Sequence, residues 1–471
     1  VQPLLILSIV ALIGTSFVGV LAVLQLSLVE RLQQRLLAKL ALRMARRLIE
    51  SSAGAWDGRY GPELANRFFD VLTIQKTLAK LLLDGLAAAI SAAIGLLLLA
   101  FYDSSGLLAG FDAVLLGVII FFVFPLGIGG LRTSIDESTA KYRLAGWLEE
   151  LARCQGSFKL HAAPGFLMRR AEGAVAKWLD ARRIHFKVNF RQEVGNQIFQ
   201  ALASVGILAI GGYLVVRQQL TLGQLVASQL IVAQILKATD KLLRQAEQFY
   251  DLLTGLDKTG YLLDLEPERS GGTPLPAPPV GGARVRVQDV RFSYPAGTEV
   301  LRGLSLNLEP GERVSLVGAS GAGKSTLMTL LCGLYDPQYG IIEINGRDLR
   351  SVDRSSLRQQ VTIVDATNAL FEGTVEENIV LGRSYLTPED INWALRVAQL
   401  YDDISQLPMG LETKLVTGGR NLSFGQIQRL LIARAIVDKP SLLILDEAFA
   451  ALDESTAQRI LDGLFDTENR W

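Results

Sequence analysis

Residues Gly318 to Ser325 read GASGAGKS, and their types and spacing suit polyphosphate chemistry. Gly318, Gly321 and Gly323, with only Ala319, Ser320 and Ala322 between them, leave the backbone bare enough for successive N–H groups to wrap phosphate oxygens. Lys324 would then reach the β- and γ-phosphates, and the Ser325 hydroxyl would sit on Mg²⁺. An apolar run, Arg313-Val314-Ser315-Leu316-Val317, precedes the loop and is expected as a strand. Thr326 to Leu334 follows and is expected as a helix, so the loop has the strand–loop–helix setting such a motif needs.

A second element supplies carboxylates. Leu442-Leu443-Ile444-Leu445-Asp446-Glu447 is a buried-strand pattern ending in two acids. Asp446 would hold Mg²⁺ through water, and Glu447 would polarise the water attacking the γ-phosphate. A core strand ending in solvated acids is the plainer alternative; the phosphate loop elsewhere in the chain argues against it.

Asn421-Leu422-Ser423-Phe424-Gly425-Gln426 lies close to the LSGGQ signature of ATP-binding cassette (ABC) proteins. On these three motifs the C-terminal part resembles an ABC ATPase, and nearly the whole chain resembles a half-transporter of the exporter type. The resemblance implies a membrane all-α helical exporter domain followed by an α/β P-loop NTPase domain, using ATP and Mg²⁺. It places Ser423, Phe424, Gly425 and Gln426 at a helix N-terminus facing the γ-phosphate of ATP on the opposite subunit. Ala450-Ala451-Leu452-Asp453 resembles the D-loop, and Tyr294 resembles the aromatic that stacks on adenine. Nucleotide binding is thus expected at Tyr294 and Gly318–Thr326, with Glu447 and Lys324 catalytic and Ser325 and Asp446 on the metal.

Three positions depart from that family pattern. Ala366 stands where a Gln is usual, with Asp365 one register away. Phe424 replaces a signature Gly, and Thr417 replaces a Glu that contacts the transmembrane coupling segments. The retained Lys324, Ser325, Ser423, Asp446 and Glu447 predict an ATPase that is competent but tuned. The family's switch-loop His would fall beyond Trp471, and Val1 lies directly in an apolar run, so both ends are expected to be internal points of a longer protein.

The N-terminal half has a different composition. The 471 residues are 49% hydrophobic, with mean hydropathy +0.30 and zero formal net charge. Charge balance, and the lack of a basic stripe with interleaved aromatics, exclude nucleic acid as the partner. Charge-free stretches at Val1–Val29, Gly85–Tyr102, Ala113–Leu131, Val194–Val216 and Gln218–Leu236 each approach the roughly 20 residues that cross a bilayer. They predict five spans within residues 1–265, at about 3–29, 78–102, 108–131, 193–216 and 218–240. The long loops from Arg31 to Arg67 and from Arg132 to Lys187 are rich in Lys and Arg, whereas Asp103 to Asp112 has none. By the positive-inside rule the long loops, and with them the ATPase, face the cytoplasm. An exporter has six spans, so the resemblance makes these helices two to six. It also places coupling segments near Asp57–Asn66 and Gly156–Gly165.

Residues 266–283 are rich in Pro and Gly and read as an extended linker. The ATP-binding domain, 284–471, then opens on an alternating strand, Arg284 to Arg291. Cys154 and Cys332 are expected unpaired in cytoplasmic segments, Cys332 in packing. His161 and His185 are expected at the surface or an interface. Pro125, Gly127, Gly129 and Gly130 would either loosen a membrane helix or pack it closely. Few Lys against many Leu, Ala and Arg suggests a bacterial cell membrane.

One phosphate loop and one signature per chain imply a dimer, either of two copies or with a homologous half-transporter. The function expected is ATP-driven export, by alternating access, of a hydrophobic or amphipathic substrate such as a lipid, drug or peptide. Two alternatives remain open: half of a heterodimer with one less active nucleotide site, and a membrane-anchored ATPase that transmits force without transport.

Overall fold

The computed structural model describes residues 2–101, 107–123, 128–161, 164–295, 297, 299–365 and 369–466. Contacts divide the chain into two compact units, Val1–Ser51 with Gly58–Glu266, and Ser52–Asp57 with Pro267–Trp471.

The first unit is helical. Its elements are α1 (Gln2–Glu50), α2 (Gly61–Ala65), α3 (Phe68–Lys80), α4 (Leu86–Phe101), α5 (Leu107–Val123), α6 (Gly130–Arg153), α7 (Gln155–Leu160), α8 (Pro164–Val216) and α9 (Leu222–Leu263). A π-helical turn, Leu81–Gly85, joins α3 to α4. Among the described residues four helices, Ser8–Glu50, Gly61–Phe101, Pro164–Val216 and Leu222–Leu263, are long and apolar enough to cross a membrane. Gly110–Phe121 is a shorter apolar helix. At 1.5 Å per residue α8 runs about 80 Å, far beyond the roughly 30 Å of hydrocarbon, so much of it must lie outside a bilayer. The first half of α1 leaves Leu12, Ile13, Phe17 and Val18 62–66% exposed, a surface suited to lipid and costly in water.

Small residues set the helix contacts. A Cβ at Gly95 would come within 2.5 Å of Ile235, and one at Gly211 would collide with Leu225. Gly130 admits the Tyr250 ring in the same way, so close packing is its role, while Gly129 is left-handed at φ +90°. Pro125 and Gly127 lie outside the described residues. His185 departs from the sequence expectation. It is buried on the side of α8 that packs against α6, with Nδ1 2.9 Å from Thr133 Oγ1; His161 is exposed.

The second unit is α/β. It contains β1 (Val285–Ser293), β2 (Glu299–Leu308), α10 (Lys324–Leu331), β3 (Tyr339–Ile344), β4 (Arg347–Asp348), α11 (Arg354–Gln360), β5 (Val361–Val364), β6 (Gly373–Thr374), α12 (Val375–Val380), α13 (Pro388–Val397), α14 (Tyr401–Ser405), β7 (Lys414–Leu415), α15 (Phe424–Ile436), β8 (Leu442–Leu445) and α16 (Glu454–Leu464). An antiparallel sheet of order β2-β1-β3-β4 stands beside a parallel pair, β5 with β8. In β1 the buried positions are Val285 and Val287, then Val290 and Phe292. A register break between Val287 and Val290 resets the alternation, and Asp289 at φ +43° absorbs it.

One sequence expectation changes here, and two others gain detail. Among the described residues Arg313–Val317 pairs with no strand and is not one itself; Val317 is 90% exposed. The Pro/Gly-rich stretch has no helix or strand, as an extended linker should, and it is fastened to the ATPase unit. Leu275 is buried in the β1/β3 core, Leu275 N donates to Ser356 Oγ, and Arg269 donates to Leu349 O at 2.7 Å. The segment that groups with the ATPase unit is Ser52–Asp57, containing a 3₁₀ turn at Ala53–Trp56, which meets the expected Asp57–Asn66 only at Asp57. Its anchor is Tyr335, whose hydroxyl donates to Asp57 Oδ1 at 2.8 Å. Residues 156–160 and 164–165 of the second expected segment lie in α7 and at the start of α8.

Candidate functional site

The phosphate loop ends on Gly323, the N-cap of α10, at φ +91°. A Cβ there would press to 2.8 Å on Leu301, so only glycine lets the helix start where it does. Lys324 folds back over the loop, donating from Nζ to Gly318 O at 2.8 Å and Ala319 O at 3.0 Å. The helix N-terminus, its unpaired N–H groups and this ammonium together make a site for an anion.

Ser325, one residue into the helix, donates from Oγ to Asp446 Oδ2 at 2.8 Å. Asp446 is placed by the parallel ladder, its N–H donating to Val364 O just past the last β5–β8 pair. A hydroxyl and a carboxylate converging this closely are hard oxygen donors of the kind Mg²⁺ takes. Among the described residues no cluster of three His, Cys, Asp or Glu could hold a metal unaided. A cation here would therefore draw its remaining ligands from phosphate and water.

Glu447 is exposed and left-handed, φ +53°. Its carbonyl accepts from Ala450 N at 3.1 Å and from Gln428 Nε2 at 3.0 Å. Thr326 is buried beneath the loop, and Tyr294 Oη lies 3.3 Å from its hydroxyl. The Tyr294 ring meets Phe292 and Tyr335 edge-on, at 5.0 and 5.4 Å.

Ser423 is the N-cap of α15 in a capping box: Gln426 N donates to Ser423 Oγ, and Ser423 N to Gln426 Oε1. Gln426 Nε2 also donates to Asp403 Oδ1 at 2.8 Å, as Arg429 does to Oδ2. Burial raises the Asp403 pKa, but these hydrogen bonds and the Arg429 charge outweigh it, leaving the carboxyl below its usual range. Gly425 lies against Ala451 and Leu452, and Phe424 points outward, 76% exposed. Asp453 caps α16, accepting from Ser455 Oγ at 2.6 Å and Thr456 N at 3.0 Å, and those bonds hold it well below the usual carboxylate range. Thr417 is exposed, and Ala366 lies outside the described residues.

Some supporting residues gave no signal in the sequence. Arg434 donates to Asn378 O, Asn378 Oδ1 and Ala369 O, tying α15 to the segment that leaves β5. Burial lowers its pKa to about 10. Asn378 in turn donates to Phe371 O and Thr374 O. The Arg434 contacts join positions 56 to 65 apart in the chain, which no local spacing reveals.

The chain matches the family model of the ABC transporter transmembrane region over residues 2–239, and that of the ABC transporter over residues 301–450. It is 31% identical over 343 residues to an uncharacterised ABC transporter ATP-binding protein of Sinorhizobium fredii, covering 72% of this chain and 55% of the relative. An iron-sulfur clusters transporter of Neurospora crassa mitochondria is 36% identical over 275 residues, 57% of this chain and 38% of the relative. An ABC multidrug transporter of Aspergillus fumigatus is 29% identical over 442 residues, 89% of this chain and 53% of the relative. The chain thus spans about half the length, or less, of these curated relatives. A solved bacterial Atm1-family ABC exporter with ATP bound superimposes with TM-score 0.85 at 26% identity, covering 94% of this chain and 78% of that one. A multi-pass helical domain and an ATP-binding cassette in one polypeptide, each matched by its own family model, place this chain in the ABC transporter family.

Proposed function

We propose that this chain is one half of a dimeric ABC exporter that hydrolyses ATP between two subunits and moves a hydrophobic or amphipathic substrate outward. The Ser325–Asp446 hydrogen bond carries the reading, because it brings the phosphate loop and the acidic strand end to one point. In this proposal the Gly318–Thr326 backbone and Lys324 hold the β- and γ-phosphates, and Tyr294 stacks on adenine. Ser423 to Gln426 offer a helix N-terminus to the nucleotide of the other subunit. Ser325 and Asp446 would hold Mg²⁺, which when bound offsets negative charge on the phosphate oxygens. Glu447 takes a proton from the attacking water as its oxygen bonds to the γ-phosphorus and the bond to ADP breaks.

ATP binds the closed arrangement better than the open one, and that difference in affinity turns the membrane cavity outward. Ser52–Asp57, which groups with the ATPase unit and is anchored on Tyr335, would serve as a coupling segment. The spans are read as five, at about 3–29, 78–102, 108–131, 193–216 and 218–240, in a cell membrane with the ATPase in the cytoplasm. Their low polarity suits a lipid, drug or amphipathic peptide. The exposed Phe424 at a signature position supports a second reading, pairing with a homologous half-transporter whose own signature carries the faster site. Phosphate release by the purified protein, against Glu447→Gln, tests the proposal. Turnover in the wild type and none in the variant supports it, and equal rates refute it.

A further inference from the structure

We infer that Gln428 is the positioning residue for Glu447, and that it ties the catalytic turn to the signature helix. This rests on the proposed role of Glu447. The side-chain amide of Gln428 bridges the turn that follows β8. Its Nε2 donates to Glu447 O at 3.0 Å, and its Oε1 accepts from Ala451 N at 2.8 Å. One planar group thereby fixes the first and last residues of the five-residue stretch Glu447–Ala451.

That turn needs fixing. Among the described residues the β5–β8 ladder extends no further than Asp446, and the φ of +53° at Glu447 is a conformation that a side chain with a Cβ disfavours. The direction of the Glu447 carboxylate follows from that backbone. Without the amide, the Glu447 carbonyl keeps only Ala450 N–H, and the Ala451 N–H loses its acceptor. The residue is free to relax toward the right-handed region, swinging the carboxylate away from the end of β8.

Gln428 stands on α15, five residues after Ser423, and the same helix is anchored by Gln426 and Arg429 to Asp403. A displacement of α15 when its N-terminus meets a phosphate is therefore transmitted to Glu447 by hydrogen bonds of the Gln428 side chain. Methionine matches glutamine in length and removes both hydrogen bonds; glutamate keeps an acceptor for Ala451 N–H and removes the donor to Glu447 O.

Steady-state ATP turnover of the full chain in detergent and in vesicles tests this, with wild type, Glu447→Gln, Gln428→Met and Gln428→Glu. The expected result is a kcat about tenfold or more below wild type in both Gln428 variants, with KM for ATP within about twofold. Wild-type kcat in Gln428→Glu overturns the inference, even if Gln428→Met fails to fold. A raised KM with unchanged kcat in Gln428→Met overturns it as well. A wild type that releases no phosphate, or that matches Glu447→Gln, contradicts the proposed function instead, so the two failures are distinguishable.

Discussion

Ser325 Oγ donates to Asp446 Oδ2 at 2.8 Å, joining the first turn of α10 to the end of β8 across 121 positions of sequence. Neither partner is bound to a neighbour in sequence, so the pair exists only because two elements are brought together. Replacing either should remove the proposed metal site while leaving the loop in place. Asp446→Asn is expected to lower phosphate release about a hundredfold or more and to raise the Mg²⁺ concentration needed for half-maximal turnover. Titrating Mg²⁺ against phosphate release checks this, and chelation of Mg²⁺ should stop turnover in wild type.

Asp403 should make stability depend on pH in a defined direction. Its folded pKa lies below the unfolded value of 3.8, so its contribution is present above that value and is lost as pH falls through the folded pKa. Asp403→Asn is therefore expected to melt below wild type at neutral pH, with the gap closing under acid conditions. Thermal melts across that range measure it.

How much of this was legible beforehand follows from the range of the contacts involved. Lys324, Ser325 and Asp446 were readable because glycine spacing and a strand ending in acids are local patterns, and Ser423 was readable because a capping box is local. Gln428 and Arg434 were not, since each acts on backbone atoms 19 to 65 positions away. Arg313–Val317 reads as a strand by composition, but a strand is defined by a partner and this run pairs with none among the described residues. The fastening of the linker was hidden for the opposite reason. Its Pro and Gly content hid one buried leucine, Leu275, and one arginine, Arg269, that fasten it.

Leu275→Ala should expose that fastening. The side chain is 5% exposed in the core around β1 and β3, and its truncation is expected to cost the ATPase unit about 2–4 kcal/mol. Calorimetry should show a lower melting transition, whereas an unanchored linker would show no change.

Asp57→Ala removes the acceptor of the Tyr335 hydroxyl and loosens Ser52–Asp57 from the ATPase unit. Basal ATP turnover is expected to persist, while stimulation by substrate in reconstituted vesicles is lost. A variant that retains full stimulation would show that this segment carries no coupling.

The central claim, nucleotide shared between paired chains, is tested most directly by complementation. Lys324→Ala disables the phosphate loop and Ser423→Arg disables the signature, so a pure sample of either variant has no intact composite site. Chains carrying the two changes separately, co-expressed and purified by two different tags, form mixed dimers in which one site regains both parts. Phosphate release by the mixed dimer, absent from either variant alone, is the predicted result; a mixed dimer as inactive as its parents would contradict the account.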